Sequence, residues 1–442
     1  MFESHFIVRG RDVNDHARHF LSGLLGSQGR KNIECIEAEV AHSDYQSMQQ
    51  FISDSPWDHG ALMAQVARDA DGLLGGHRDS ALYLDETSFV KKGSASVGVQ
   101  RQYCGRLGKT ENCQVGVFAS LGRGNRVTIV DFRLFLPESW AQDSARCDKA
   151  KVPLEHRVHR TKTELALQMV QAARARGSRH AWIGGDEVYG NNQAFCAQLE
   201  DPGETFLLDV AHNTRVWDAH PQPSVPATDA ATGRPRTRAQ AGNPAAAAHK
   251  ISALVQRDFA RQSRRVTLRP SSQGLLHARV WVRPVWLWDG QGGEVRARLL
   301  VVRQEADGTF KYSLSNAAPQ TSWERLAFMQ TQRYWIEHSF GEAKGQLGLA
   351  HYEVRGWRGW HHHIALVALA QLFTVKERLL QAEAPLLSAR DIVELLAYYL
   401  PRRERTEAEV LRQMQARHQR RSRAAASHAR RRRKLGAQKV TM

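Results

Sequence analysis

Three carboxylates stand where chemistry could be done. Asp85 closes the apolar run ALYL and Asp186 closes AWIGG. An acid at the carboxyl end of a buried strand lies where α/β sheets place their ligands. The third, Glu337, belongs to the segment QTQRYWIEHSFGEAKG, residues 330–345. At about 100° per residue, Arg333, Glu337 and Lys344 share one helical stripe, with Gln330 beside it. One face then offers a carboxylate flanked by two cations. Any one of these features alone is an ordinary turn cap or surface ion pair. Together they could hold two Mg²⁺ ions about 4 Å apart, one activating water or a 3′-hydroxyl and the other stabilising the leaving oxygen of a phosphodiester. Mg²⁺ takes carboxylate oxygens plus water, and Mn²⁺ is expected to substitute. The neighbouring Arg and Lys would hold phosphates. Glu86 and Glu187 follow the two aspartates, but strand alternation sends them to the opposite face, which leaves them a supporting role at most. Glu342 is the competing acid on the helix, about 140° from Glu337.

The elements that must position these groups follow from patterning. Residues 1–78 read as a helical domain: Met48, Phe51 and Ile52 recur at helical spacing, a first helix starts near Asp12, and Pro56 separates two later ones. Strand signals then begin at ALYLDET, residues 81–87. NCQVGVFASLG (112–122) and RVTIVDFRLFL (126–136) follow, split by a turn at GRGN, so Gly122 and Gly124 read as a hairpin. A helix over 161–176 starts at the N-cap candidate Thr161, and HAWIGGDE leads to a second helical segment at 189–199. ETFLLDV (204–210) closes a β-β-β-α-β-α-β order, with parallel pairing expected for the later strands. Residues 79–212 would be the first part of a catalytic core. A linker rich in Pro, Ala and Gly at 213–250 and three strands to 315 form a β-rich insertion over 213–321. The core resumes over 322–385, opening with one long helix from Ser322 to Lys344. A last helix and a basic tail occupy 386–442, and the tail is expected to be disordered when free.

Composition restricts the function classes. With 62 Lys+Arg against 45 Asp+Glu, the net charge is +17. Residues 402–442 hold 14 Lys/Arg and 3 Glu, a surplus of 11 out of that 17. Such an excess points to nucleic acid, and the tail would give salt-sensitive attraction to DNA. The five cysteines form no CxxC pair, which argues for reduced thiols. The apolar run IALVALAQLF (364–373) is far short of the roughly 20 residues that span a bilayer, so no membrane partner is expected. Several further residues invite a role. Lys91 and Lys92, just past Asp85, could meet backbone phosphate. His361, His362 and His363 diverge around a helix and cannot share a metal, so they read as surface or DNA-facing imidazoles. The aromatic-basic segment of Tyr352, Arg355, Trp357, Arg358 and Trp360 reads first as core packing.

These residues resemble the DDE-type transposases of bacterial insertion sequences, and more narrowly the branch with a Tyr-x2-Arg-x3-Glu-x6-Lys signature. Arg333, Glu337 and Lys344 match its last three positions, while Gln330 stands in place of the Tyr. DETSFVKKGSASVGVQRQYCGRLGKTENCQVGVF (85–118), GGDEVYG (184–190) and EAKGQLGLAHYEVRGWRGWHHHIAL (342–366) are similar to the same branch. The resemblance implies an α/β, RNase H-like core whose β-rich insertion precedes the last catalytic helix. It implies Asp85, Asp186 and Glu337 as catalytic and metal-binding residues, with Arg333 and Lys344 on nucleic acid; Gln330, Lys91 and Lys92 are expected there by their positions. It further implies Mg²⁺-dependent cutting at terminal repeats, joining of 3′-hydroxyl ends to target DNA, a homodimer on double-stranded DNA, and a bacterial cytoplasmic, nucleoid-associated address. The competing classes are a catalytically silent DNA-binding derivative and an RNase H-like nuclease without strand transfer.

Overall fold

A computed structural model describes residues 2–225, 238–271, 274–290, 292, 294–381, 383–384 and 386–440. Part of the proline-rich linker thus lies outside the described residues. Four helices come first: α1 (Asn14–Gly26), α2 (Ile33–Glu39), α3 (Tyr45–Ser53) and α4 (His59–Leu74). Asp44 and Asp58 cap α3 and α4 by accepting backbone N–H bonds, and Pro56 lies in the break between them. A two-residue hairpin, Ile7–Val8 with Arg11–Asp12, precedes α1.

The sheet opens with β1 (Ser80–Val90), β2 (Gln100–Cys104), β3 (Lys109–Arg123) and β4 (Arg126–Leu134), all antiparallel. Gly124, at φ +57°, makes the β3–β4 turn without the cost a side chain would carry there. Next come α5 (Lys162–Ala175), β5 (Trp182–Gly185), α6 (Gln193–Glu200) and β6 (Phe206–Asp209). A capping box between Thr161 and Glu164 starts α5. β5 pairs in parallel with both β1 and β6, so the expected alternation of the later units holds, while β2 adds a fourth strand to the three expected before α5.

The insertion is more ordered than its composition suggests. On either side of the undescribed stretch, β7 (Arg215–Trp217) and β8 (Ala248–Lys250) pair with each other. A helix not foreseen in the sequence, α7 (Ile251–Gln262), follows, then β9 (Arg264–Ser271), β10 (Gly274–Leu287), β11 (Arg296–Gln304) and β12 (Phe310–Ser315). Strand β12 pairs antiparallel with β6, which merges core and insertion into one 12-stranded mixed sheet. Under α7, Ile251, Leu254 and Phe259 pack on Trp281, Leu300 and Val302 as a small second core.

Five helices close the chain: α8 (Trp323–Gln332), α9 (Tyr334–Gln346), α10 (Trp357–Leu380), α11 (Ala389–Tyr399) and α12 (Glu407–Val440). The single helix expected over 322–344 is therefore two, divided at Arg333. The main core runs unbroken from Phe20, Phe51 and Leu62 of the N-terminal helices, through Leu82, Phe118 and Ile129 of the sheet, to Trp360 and Leu366 of α10. This is an α/β protein with a large mixed sheet, consistent with an RNase H-like fold.

Two expectations are corrected. The three histidines do not face solvent or DNA. His361, His362 and His363 are all buried, because α10 is enclosed by α3, α4 and the sheet, so every direction around it meets protein. Their ring nitrogens sit 2.8 Å from Trp357 O, 2.9 Å from Ile52 O and 3.0 Å from Gly348 O, respectively. The tail is also not structureless. It continues as α12, held by the acidic stripe of α2: Arg412 lies 2.8 Å from Glu37, Arg402 2.9 Å from Glu39 and Arg420 3.3 Å from Glu34. Charge complementarity to α2 orders a segment whose composition alone gives no core.

Candidate active site

Parallel pairing decides where the site lies. Strand β5 ends opposite Leu84, so Asp85 is the first residue of β1 to project past its neighbour. Asp186 follows the last residue of β5 and caps a one-turn helix, Glu187–Gly190, its Oδ1 accepting the Val188 N–H at 2.9 Å. Gly190 lets this turn lie against β6, since a Cβ there would meet the Asp209 carbonyl oxygen at 2.0 Å.

Three carboxylates meet at this point. Oxygens of Asp85, Glu86 and Asp186 all lie within 4.8 Å of one another. Glu86 was expected on the opposite face. Among the described residues β1 has no strand partner on its β5 side beyond Leu84, and the Glu86 carboxylate lies on that side, where Lys162 Nζ and the Tyr189 hydroxyl donate to it. Asp85 accepts the Glu86 N–H at 2.7 Å. Burial, and then the Asp186 charge, push Asp85 up to about 8. Burial, and then Glu86, push Asp186 up to about 6, against the pull of Arg333. Crowded, desolvated carboxylates that hold protons near neutrality are short of positive charge.

The α8–α9 junction lies beside them. Arg333 Nε sits 2.8 Å from Asp209 and its Nη2 sits 2.8 Å from Glu337. Glu337 itself is 56% exposed and outside the three-carboxylate cluster. Lys344 Nζ donates to Thr87 Oγ1, two residues past Asp85. Burial lowers the pKa of that amine, as does the charge of Arg106. Asp209 escaped the sequence reading. Its signal was present, for FLLD is a third apolar run ending in an acid. Ser313 Oγ donates to it at 2.6 Å.

Two residues expected on nucleic acid are placed elsewhere. Gln330 is buried, and its Nε2 donates to Ser313 Oγ at 2.9 Å. It points under the insertion sheet because α8 presents that face to β11 and β12. Lys91 lies 3.4 Å over the Tyr352 ring and donates to the Tyr352 carbonyl oxygen. Burial lowers it to about 7. Lys92 is exposed. Tyr352, Trp357 and Trp360 are buried core, as expected, while Arg358 donates outward to the Asp54 carbonyl oxygen.

The donor set suits a hard divalent cation. Carboxylate oxygens at this spacing, without a compensating Lys or Arg on Asp85, are what Mg²⁺ or Mn²⁺ takes up. A model of the DDE superfamily endonuclease family matches residues 8–274. The chain belongs to that family. The matched span of this DDE superfamily endonuclease contains Asp85, Glu86 and Asp186, whereas Glu337 lies beyond it. The chain is also similar to the probable transposase for insertion sequence element IS701 of Microchaete diplosiphon, 27% identical over 197 residues. That alignment covers 43% of this chain and 47% of the relative, so the chain spans about half the length of the curated relative it matches. No described helix is long and apolar enough to cross a membrane.

Proposed function

We propose that the protein is a DNA transposase of an insertion sequence, cutting at terminal repeats and joining 3′-hydroxyl ends to target DNA. The observation that carries this reading is the trio of carboxylates within 4.8 Å where β5 ends beside its parallel neighbour β1. The probable transposase it resembles supports the same class of substrate. Asp85 and Asp186 would hold Mg²⁺, or Mn²⁺ in its place. The bound ions would supply an activated water or 3′-hydroxyl and charge to offset the leaving oxygen.

The chain's own groups have separate tasks. Glu337 would exchange its Arg333 partner for the metal site when DNA arrives. Arg333 would then turn its freed N–H groups to a phosphate, still oriented by Asp209. Lys344 and Lys92 would hold neighbouring phosphates. Residues 1–78 are the proposed repeat-reading unit, and two chains would act together on the two DNA ends. A second candidate for the third metal ligand, Glu86, is favoured by its place in the cluster.

The test is cleavage of DNA carrying the gene's own flanking sequence, with and without Mg²⁺, for wild type, Asp186→Asn, Glu337→Gln and Glu86→Gln. Metal-dependent cuts at defined ends, lost in Asp186→Asn, support the reading, and joined products establish strand transfer. Whichever glutamate variant abolishes cutting is the third ligand. Tight binding with no cut under any metal condition would overturn the enzyme reading.

A further inference from the structure

A cavity of about 270 Å³ opens beyond the edge strand β4, between α4, the start of α5 and the start of α10. It shares no residue with the carboxylate cluster. Asp85 faces Phe118 across one strand pair and Phe118 faces Phe132 across the next. At about 4.8 Å per strand, the cavity wall lies roughly 10 Å from Asp85, on the side away from Asp186.

Its chemistry is divided. One part carries Arg133, Arg160 and Arg176. A single carboxylate, Asp131, pairs with Arg133 and with Arg176 at 3.3 Å. Arg160 has no ion pair or hydrogen bond among the described residues, so the group keeps a net positive charge. The other part is aromatic, with Phe132, Trp357, His59 and His361. His361 is buried and uses Nδ1 on the Trp357 carbonyl oxygen at 2.8 Å. As a neutral imidazole it donates there, which leaves Nε2 as an acceptor with no partner among the described residues. His361 lines the cavity, and that atom is open to a donor from a ligand. The rings of His156 and His361 lie against Trp357, with centroids 4.9 Å and 4.2 Å away, so this wall is built of packed aromatic rings.

We propose that this cavity binds a mononucleotide, its phosphate on Arg160 and the Asp131-linked arginines, its base in the aromatic part with an amino group donating to His361 Nε2. The size agrees, since 270 Å³ lies close to the lower bound of about 300 Å³ for small-ligand pockets, too small for a dinucleotide. The same chemistry is offered by a free nucleotide and by the 5′-phosphorylated end of a DNA strand.

The test is calorimetric titration of the metal-free, full-length protein with dAMP, with inorganic phosphate, and with a short single strand bearing either a 5′-phosphate or a 5′-hydroxyl. Two variants are compared. Arg160→Glu reverses the unpaired cation, and Val158→Trp fills the mouth, where Val158 is 52% exposed, without touching a charge. Loss of a charged hydrogen bond should weaken binding about tenfold or more. The proposal expects saturable dAMP binding lost in both variants and retained in Asp186→Asn. Binding confined to the 5′-phosphorylated strand, with the same variant pattern, assigns the site to a DNA end. No binding of either, binding that ignores both variants, or inorganic phosphate bound as tightly as dAMP would overturn it.

Discussion

Two sets of acids in this molecule are partly or wholly withdrawn from water, and they behave in opposite ways. Asp258, on α7 of the insertion, is nearly fully buried yet ringed by Arg257 at 2.9 Å, Arg283 at 2.8 Å and Arg261 at 3.7 Å. Its hydrogen bonds from Arg257 hold its pKa below the usual carboxylate range. Asp85 and Asp186 have their pKa values pushed up, first by burial and then by a neighbouring carboxylate, against the pull of a single cation, Arg333. Burial raises the core pair, and something must offset it in the insertion. Compensation does. The insertion's acid has its cations built in, so that removing it would strand them, whereas the core's acids lack theirs and suit cations from outside.

The contrast is broken most severely at Asp186. Asp186→Asn should reduce metal-dependent DNA cleavage about 10³-fold, on the scale of removing one preorganised transition-state contact. Thermal unfolding of the metal-free variant should match or exceed wild type, because a like charge has been removed. A large fall in Tm would show that the acid serves the fold. Asp258→Ala should do the reverse. Cleavage per folded molecule should stay unchanged, and urea unfolding should show a loss of about 1–3 kcal/mol, since Arg283 is left half-buried and unpaired.

The pH response sharpens the same comparison. A carboxyl whose folded pKa is raised binds more protons folded than unfolded, so stability falls as pH rises between the unfolded and folded values. For Asp186 that window runs from about 4 to about 6, and for Asp85 on to about 8. Metal-free protein should therefore lose stability from pH 5 to 8 through this pair, while Mg²⁺ affinity, measured by titration, rises over the same range as the protons leave. Asp186→Asn should flatten both trends. Asp258, whose pKa is lowered, contributes stability present above the unfolded value and lost only in acid. The smallest effect is expected at the α2–α12 contact. Arg412→Ala should cost up to about 1 kcal/mol, read as a small fall in Tm that 1 M salt erases.

Much of the catalytic sheet was legible. ALYL and AWIGG announced buried strands, GRGN a hairpin, and Thr161 a helix start, because each is a local signal of periodicity, turn chemistry or capping. Proline-rich composition misled at 213–250, where the described flanks β7 and β8 join the sheet through pairing with each other and with β10. The histidines misled for the opposite reason. Polarity suggests a surface, and only the enclosure of α10 supplies the carbonyl partners that make burial tolerable. Lys91 follows Asp85 closely in sequence and Gln330 borders the helical stripe of Arg333, but side-chain direction takes them to Tyr352 and Ser313.

The residue types determined by themselves that Asp85 and Asp186, each closing a buried-type apolar run, were the acids to watch, because such runs form strands and set the acid that follows them at a fixed place. Tertiary structure decided the rest of the site. It brought the Glu86 carboxylate to the β5 side of β1, set Asp209 behind Arg333, and kept Glu337 on that arginine rather than among the other acids. Those choices depend on where neighbouring strands stop and which charges fall within a few ångströms, and such distances exist only once the chain has folded.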